Sequence, residues 1–391
     1  MIELELTLQT EAPLALRASR TSQQFTPTLT HIPGVTLRGA LAMEYLRRGG
    51  KAEDSNFKTL FLSEDVSFGS LFPSEGDFAS CPLPASVVAC KRYGAKHGDS
   101  VGDSLLRLEL ADQREDLTPL TPWEDCPNCK REYPDLKPNK RDRLTGYYYF
   151  NENNFGKIKL KIRMLPGVGI SRLTHTAAQG LLFSMEAIEE AQCFCGRIRL
   201  YGDDTQSLQA ELEKLVPKGD FLRLGGARTR GQGRVKVIEW KKVAPNATPT
   251  LNERWTQLNQ AVQKLWGNTD PRGEYFSLTL ESPAILLDDC LHPIHPSKLC
   301  PGDFGLPEGV EMRRRMLTET NLQGWQAKWQ LPKYDTPALG IESVFLFRAS
   351  PELRDEIQAR LRIIESDGLG ERRNEGLGRV RACDPFHTRV D

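Results

Sequence analysis

Arg228-Thr229-Arg230-Gly231-Gln232-Gly233-Arg234-Val235 and Arg373-Asn374-Glu375-Gly376-Leu377-Gly378-Arg379-Val380 both read R-x-x-G-x-G-R-V, at an offset of 145 residues. A fainter pair opens each half. Leu6-Thr7-Leu8 leads to Ala12-Pro13-Leu14, and Leu278-Thr279-Leu280 leads to Ser282-Pro283-Ala284, at an offset of 270. Self-similarity between fixed landmarks marks a repeated structural unit. The unequal offsets make the first copy about 125 residues longer than the second. The chain therefore reads as two related modules, with a large insertion in the first.

The elements around these landmarks give the fold class. Residues 2–10 alternate apolar and polar, as a half-buried strand does. Thr36 is placed to cap a helix from Leu37 to about Arg48, with Leu37, Leu41 and Tyr45 on one face. Strands are expected at 181–190 and 195–201, a helix at 205–216, and strands at 221–225 and 233–240 around the first glycine loop. This β-α-β-β-α-β order is the ferredoxin-like, or RRM-like, arrangement. The second module is expected to hold strands at 275–287 and 342–348, and a helix from Pro351 to Glu365 capped by Ser350. The predicted class is α+β. The first module spans 1–243, with a cysteine-containing insertion at about 75–150. A linker with a short amphipathic helix spans 244–272 (Leu251, Trp255, Leu258, Val262 and Leu265 on one face), and the smaller second module spans 273–391.

Composition narrows the function. The 391 residues carry 52 Lys plus Arg and 52 Asp plus Glu, so the net charge is zero; 39% are apolar and 27% charged. That is a folded rather than a disordered composition. No run approaches the ~18 apolar residues of a membrane span. The N-terminus has no basic-then-apolar leader, so the first residues are expected to be a strand of a cytoplasmic protein. The charge is segregated. Residues 51–125 hold 7 basic and 14 acidic side chains, residues 126–175 hold 11 and 4, and residues 221–242 hold 7 and 1. A neutral total thus hides two basic segments and one acidic one.

In the loop beginning Gly225-Gly226, glycines let backbone N–H groups turn toward an anion, and Arg228, Arg230 and Arg234 supply forked, permanent cations for phosphates. The spacing is neither G-x-x-x-x-G-K-[ST] nor G-x-G-x-x-G. An extended phosphate chain suits it better than a mononucleotide; the bland reading is a hairpin with a long turn.

These loops, with two further segments, resemble the RAMP proteins of CRISPR effector complexes. His31-Ile32-Pro33-Gly34-Val35-Thr36-Leu37-Arg38-Gly39-Ala40-Leu41 is similar to the start of the first helix in those subunits. Gly169 through Thr174, then Ala178, Gly180, Leu182-Phe183-Ser184 and Glu186, resembles their mid-domain signature. In the second module, Gly324-Trp325, Leu331-Pro332-Lys333 and Ser343 to Phe347 resemble the type III-D subunit related to the one that holds the guide-RNA 5′ handle. The resemblance implies two ferredoxin-like modules and a non-catalytic, RNA-binding structural subunit. Guide RNA and the other effector subunits would be its partners, and target RNA a further one, with the insertion contacting neighbours and no membrane involved. The implied RNA-binding residues are Arg38, Arg172, Thr174, Gly225, Gly226, Arg228, Arg230, Gly231, Gly233 and Arg234, with Arg373, Gly376, Gly378 and Arg379 in the second copy.

The same resemblance orders the cysteines. Cys126-Pro127-Asn128-Cys129 is a C-x-x-C knuckle, and nine cysteines in an intracellular protein suggest metal ligands before disulfides. The type III-D order of Cys-Lys, His-Gly and C-x-x-C matches Cys90, His97, Cys126 and Cys129, which would hold a structural zinc, with Cys81 the rival fourth ligand. Cys290, His292, His295 and Cys300 form a second set of donor types, in a Pro-rich segment better read as a loop. The enzyme alternative is a ribonuclease that uses His31 on guide precursors, or one of Asp65, Asp77, Asp99 and Asp103 on target RNA. No motif selects any of them, and a third reading is a protein adaptor that touches no RNA.

Overall fold

The computed structural model describes residues 1–17, 24–76, 78–94, 96, 101–112, 124–151, 154–244, 249–267, 273–326 and 329–389. In the first module, β1 (Ile2–Thr10) buries Leu4, Leu6 and Leu8 completely, which is what its alternation predicts. α1 (Gly34–Arg47) packs Leu37 and Leu41 into the same core. It begins two residues before the expected Thr36 cap, on Pro33 and without a side-chain cap. Gly34 lies so close to the Phe68 carbonyl that a Cβ would overlap it, so the helix start is fixed by tertiary contact rather than by capping.

The module continues with β2 (Val66–Phe68), a long hairpin of β3 (Ile162–Ile170) and β4 (Ala177–Ile188), and β5 (Cys193–Leu200). α2 (Thr205–Leu215), β6 (Phe221–Arg223) and β7 (Arg234–Lys242) complete it. The sheet order is β6-β7-β1-β5-β2, with every neighbour antiparallel. With the edge strand β6 set aside, the last strand lies beside the first, then the third, then the second: the ferredoxin-like order. One strand differs from expectation. The second strand of the motif is β2, whereas the segment read at 181–190 belongs to β4. That strand pairs with β3 over its length and with Phe25–Thr26 at its other edge. β3 offers a partner of matching length with the complementary alternation, so the two form a separate hairpin sheet.

The second module repeats the plan. α3 (Leu251–Trp266) precedes β8 (Glu274–Leu280), β9 (Glu311–Met316), β10 (Val344–Ala349), α4 (Arg354–Asp367) and β11 (Val380–Ala382). The sheet order β9-β10-β8-β11 is again the ferredoxin-like one. Between β8 and β9 the helical elements of the described chain are two 3-10 turns, Pro296–Lys298 and Pro301–Phe304, where the first module has α1. α3, which reads as part of a linker, packs Trp255, Leu258 and Val262 into the second core, with Trp255 stacked on Phe276 at 5.1 Å between ring centroids. Thr250 and Glu253 close a capping box at its start.

The insertion straps the first module to the second. Leu105, Leu106 and Leu110 of its helix Leu105–Ala111 are buried in the second module's core. Glu109, also buried, pairs with Arg313 at 2.7 Å and Arg314 at 3.1 Å. The Tyr148 hydroxyl donates to Asp384 (2.9 Å), and His387 Nδ1 lies 2.9 Å from Asp103, with both residues fully buried. Much of this segment, expected to face neighbouring subunits, is thus engaged within its own chain.

Candidate nucleic-acid interface

The two glycine loops have the same backbone. Gly233 N–H donates to Pro13 O and Gly378 N–H to Pro283 O, both at 2.8 Å. Gly226 N–H donates to Ala15 O, and Glu371 N–H to Ile285 O. Ala227 and Arg372 both occupy the left-handed region (φ 51° and 59°), each followed by one 3-10 turn, Arg228–Arg230 or Arg373–Glu375. The offsets of 145 and 270 read from the sequence recur here as paired hydrogen bonds.

Their surroundings are opposite. In the first loop Arg228, Thr229, Arg230, Gly231 and Arg234 are exposed. Arg228 and Arg230 form no ion pair among the described residues, and the Arg234 guanidinium stacks over the Phe221 ring at 3.8 Å. Beside the loop runs a groove of about 340 Å³, lined by Arg17, Thr26, Phe183, Met185, Ala227, Thr229 and Arg230. Arg17 and Met185 escaped the sequence reading, and Phe183, quoted there within the mid-domain signature, was not assigned to the site. Arg17 arrives because Pro13 and Ala15 accept hydrogen bonds from the loop. Phe183 and Met185 come from β4. Gly225 fits because its backbone abuts the Ala15 carbonyl at φ 72°. Arg172 and Thr174 lie apart from this loop, exposed in the turn between β3 and β4.

The second loop is turned into the first module. Gly376, Gly378 and Arg379 are buried, and a Cβ on Gly376 would overlap the Phe68 carbonyl of β2. Arg379 Nη2 donates to Ser67 O at 2.9 Å. Ser67 Oγ donates to Arg373 O at 2.9 Å, and Asn374 Nδ2 to Ser63 O at 3.4 Å. Glu375, at the position Arg230 holds in the first loop, is surrounded by Arg372, Lys333 (3.1 Å) and Arg38 (3.5 Å). Burial pushes its carboxyl up, but Arg372, Lys333 and Arg38 together hold it below the usual range, so it stays charged. The expected phosphate-gripping role of Gly376, Gly378 and Arg379 meets a chain that already covers them, and Arg38 and Arg373 are drawn into the same contact.

The cysteine knuckle does assemble. Cys126 starts the helix Pro127–Glu132, Cys129 lies in its first turn, and Cys90 ends the strand Val87–Cys90. Their three Sγ atoms, all buried, lie within 4.8 Å of one another, with Cys90 and Cys129 3.7 Å apart. Zn–S bonds of about 2.3 Å give a tetrahedral edge of roughly 3.8 Å, so the donor set fits zinc. Asn139 Nδ2 donates to Cys129 Sγ at 3.3 Å, a contact that steadies a thiolate. His97 lies outside the described residues. Cys81 is elsewhere, beside Arg381 (3.4 Å), and is not in this cluster; Cys290, His292, His295 and Cys300 form no such cluster among the described residues.

The acid–base candidates are poorly placed. Burial pushes His31 down to about 4, leaving a neutral imidazole at pH 7, with Nδ1 3.2 Å from the Tyr147 hydroxyl. Asp103 is sealed against His387, Ser86 (2.6 Å) and the Leu105 N–H (2.8 Å). Asp65 accepts from Ser63 Oγ at 2.9 Å; Asp77 and Asp99 lie outside the described residues. Among the described residues no helix is long and apolar enough to cross a membrane.

The RAMP superfamily model matches residues 7–236. No curated protein matches the chain. Among solved structures, one similar chain belongs to the type III-B Cmr-beta complex bound to cognate target RNA. It is 14% identical, covering 96% of this chain and 95% of that one at a TM-score of 0.43. A chain of the Csm3-Csm4 subcomplex of the type III-A CRISPR-Cas interference complex is 14% identical, covering 90% and 94% at 0.38. Oligomeric Cmr4 from Pyrococcus furiosus is 16% identical, covering 62% and 99% at 0.27.

Proposed function

The chain belongs to the RAMP superfamily, and from that membership we propose that it is an RNA-binding structural subunit of a type III CRISPR effector complex. The finer reading, from the second-module motifs, is a type III-D subunit that holds the guide RNA at its 5′ handle. One observation carries the RNA assignment. Of two loops with one backbone, the first leaves Arg228 and Arg230 exposed and without an ion-pair partner among the described residues, beside a groove bearing Arg17. Guanidinium groups without carboxylates, next to glycines that let phosphates approach, suit a nucleic-acid backbone. Phe183 supplies an aromatic edge in the same groove for an unstacked base. Arg172 and Thr174 extend the reading to the tip of the β3–β4 hairpin.

The subunit is read as non-catalytic: among the described residues the buried His31 and the sealed Asp103 present no acid–base pair to a strand in the groove. Cys90, Cys126 and Cys129, with His97, are assigned a structural zinc that would staple an insertion whose own core is small. The test of function is guide-RNA binding by the full chain. Arg228→Glu/Arg230→Glu/Arg234→Glu is expected to abolish binding while the protein stays folded. Retained binding would leave the adaptor reading standing, and guide or target cleavage lost in His31→Ala would overturn the non-catalytic one.

A further inference from the structure

Away from the first loop, the two modules enclose a second basic site. Two cavities, of about 480 and 100 Å³, share Arg197, Arg199, Glu281 and Arg381 as lining. Arg197 and Arg199 come from β5, Arg381 from β11, Arg254 from α3 and Arg362 from α4, so both modules build it. The larger cavity is lined by five arginines and three glutamates. Some of that charge is spent internally. Arg199 pairs with Glu3 at 2.7 Å and donates to Glu365 O, and Arg254 holds Glu365 with two nitrogens, one at 2.8 Å to each carboxylate oxygen. Arg197 also pairs with Glu3, at 3.2 Å, and Arg381 donates to Cys81 Sγ at 3.4 Å. The Glu281 carboxylate is 4.0 Å from Arg381, and exposed Arg362 makes no ion pair among the described residues.

A second observation points to a ligand. Arg254 lines the larger cavity and is 8% exposed; Arg379 lines the smaller and is 7% exposed. The Nε–H of each is buried without an acceptor. Neither guanidinium is fully satisfied by the protein, and the five arginines of the larger cavity outnumber its three glutamates, so the cleft keeps a positive surplus that an incoming anion would neutralise.

We propose that this inter-module cleft binds a phosphomonoester of nucleotide size. Forked guanidinium groups match the oxygens of a terminal phosphate, and a cavity of about 480 Å³ lies in the range of small-ligand sites. Leu251, Val243 and Val380 supply an apolar wall for the remainder of the ligand. The phosphomonoester has two possible sources, a free nucleoside monophosphate or the 5′-phosphorylated end of an RNA. The site is independent of the first loop, so its failure leaves the RNA assignment intact.

Calorimetric titration of AMP and of adenosine into the full chain tests it. AMP is expected to bind at micromolar concentration and adenosine not at all. Arg362→Glu, an exposed change that leaves the core untouched, is expected to weaken AMP at least tenfold. Arg254→Lys, checked for folding by circular dichroism, is expected to weaken it as well. Arg228→Glu/Arg230→Glu is expected to leave AMP binding unchanged. In that loop variant, tighter binding of 5′-phosphorylated than of 5′-hydroxyl RNA identifies the RNA end as the source, and AMP binding with no such preference identifies the free nucleotide. No AMP binding up to millimolar together with no 5′-phosphate preference, equal binding of adenosine, or unchanged affinity in Arg362→Glu overturns the proposal.

Discussion

The two R-x-x-G-x-G-R-V loops share left-handed positions, 3-10 turn and anchoring hydrogen bonds, yet one faces solvent and the other is the clasp between modules. The difference lies in what two side chains became. Arg230 of the first loop corresponds to Glu375, and Gln232 corresponds to the buried Leu377. An acid and an apolar group make the same backbone turn one that satisfies Arg38, Lys333 and Arg372 of its own chain. A glycine–arginine motif therefore specifies a backbone shape. The identities between the glycines and the surface opposite decide what that shape binds.

RNA affinity is expected to separate the two loops most strongly. Arg228→Glu/Arg230→Glu is expected to weaken guide-RNA binding by a hundredfold or more, since each reversal removes a phosphate contact and adds repulsion, with no change in melting temperature. The second-loop change Arg373→Glu, in the half-buried turn, is expected to alter affinity less than threefold. Fluorescence anisotropy at fixed salt, alongside thermal unfolding, checks both.

Stability is expected to show the reverse asymmetry at matched glycines. Gly231 and Gly376 have almost the same φ (80° and 81°), but a Cβ on Gly231 meets open space, whereas one on Gly376 meets the Phe68 carbonyl. Gly231→Ala is expected to cost about 1 kcal/mol, the left-handed strain alone. Gly376→Ala adds a clash with rigid backbone and is expected to cost roughly 3 kcal/mol or more in denaturant unfolding. Equal costs would mean that the second loop is not docked.

A smaller effect concerns the strap that holds the clasp in place. Burial opposes the charge on His387, but Asp103, and to a lesser degree Asp384, raise its pKa above 6.5. The folded state thus holds this proton more tightly than the unfolded chain. The contribution is complete below about pH 6.5 and is lost as pH rises through the higher folded value, at about 1.4 kcal/mol per unit of difference. Unfolding free energies measured across neutral pH are expected to fall with rising pH more steeply for the wild type than for His387→Gln. Identical slopes would remove the ion pair from the account. The smallest expected change is in salt dependence: Arg234→Gln should lower the slope of log affinity against log salt by about 1.

Much of this architecture was legible in the sequence because duplication leaves local marks. The two landmark offsets pointed to two modules and a longer first copy, whereas the hydrogen bond from the first loop to Pro13 is seen only in the structure. Cys126 and Cys129 were legible because C-x-x-C on a short helix is itself local geometry, and Cys90 was reached only through the family resemblance. What escaped was decided by long-range packing. Nothing local says that 177–188 pairs with 162–170 instead of joining the main sheet, or that Leu105 and Leu110 are buried under the other module. The burial of Arg379 could not be read from a motif that its exposed counterpart Arg234 shares, although Glu375 and Leu377 were the visible clue. Cys81 failed as a ligand because it sits in a strand paired to Tyr148, beside Arg381.

We propose that one loop of the pair holds RNA while the other holds the protein together. Photo-crosslinking of guide RNA to the full chain in its assembled complex, with the crosslinked peptides mapped by mass spectrometry, tests it most directly. Crosslinks on the peptide spanning 226–234, and none on that spanning 373–379, are the predicted result. Crosslinks of equal yield on both, or on 373–379 alone, would contradict it.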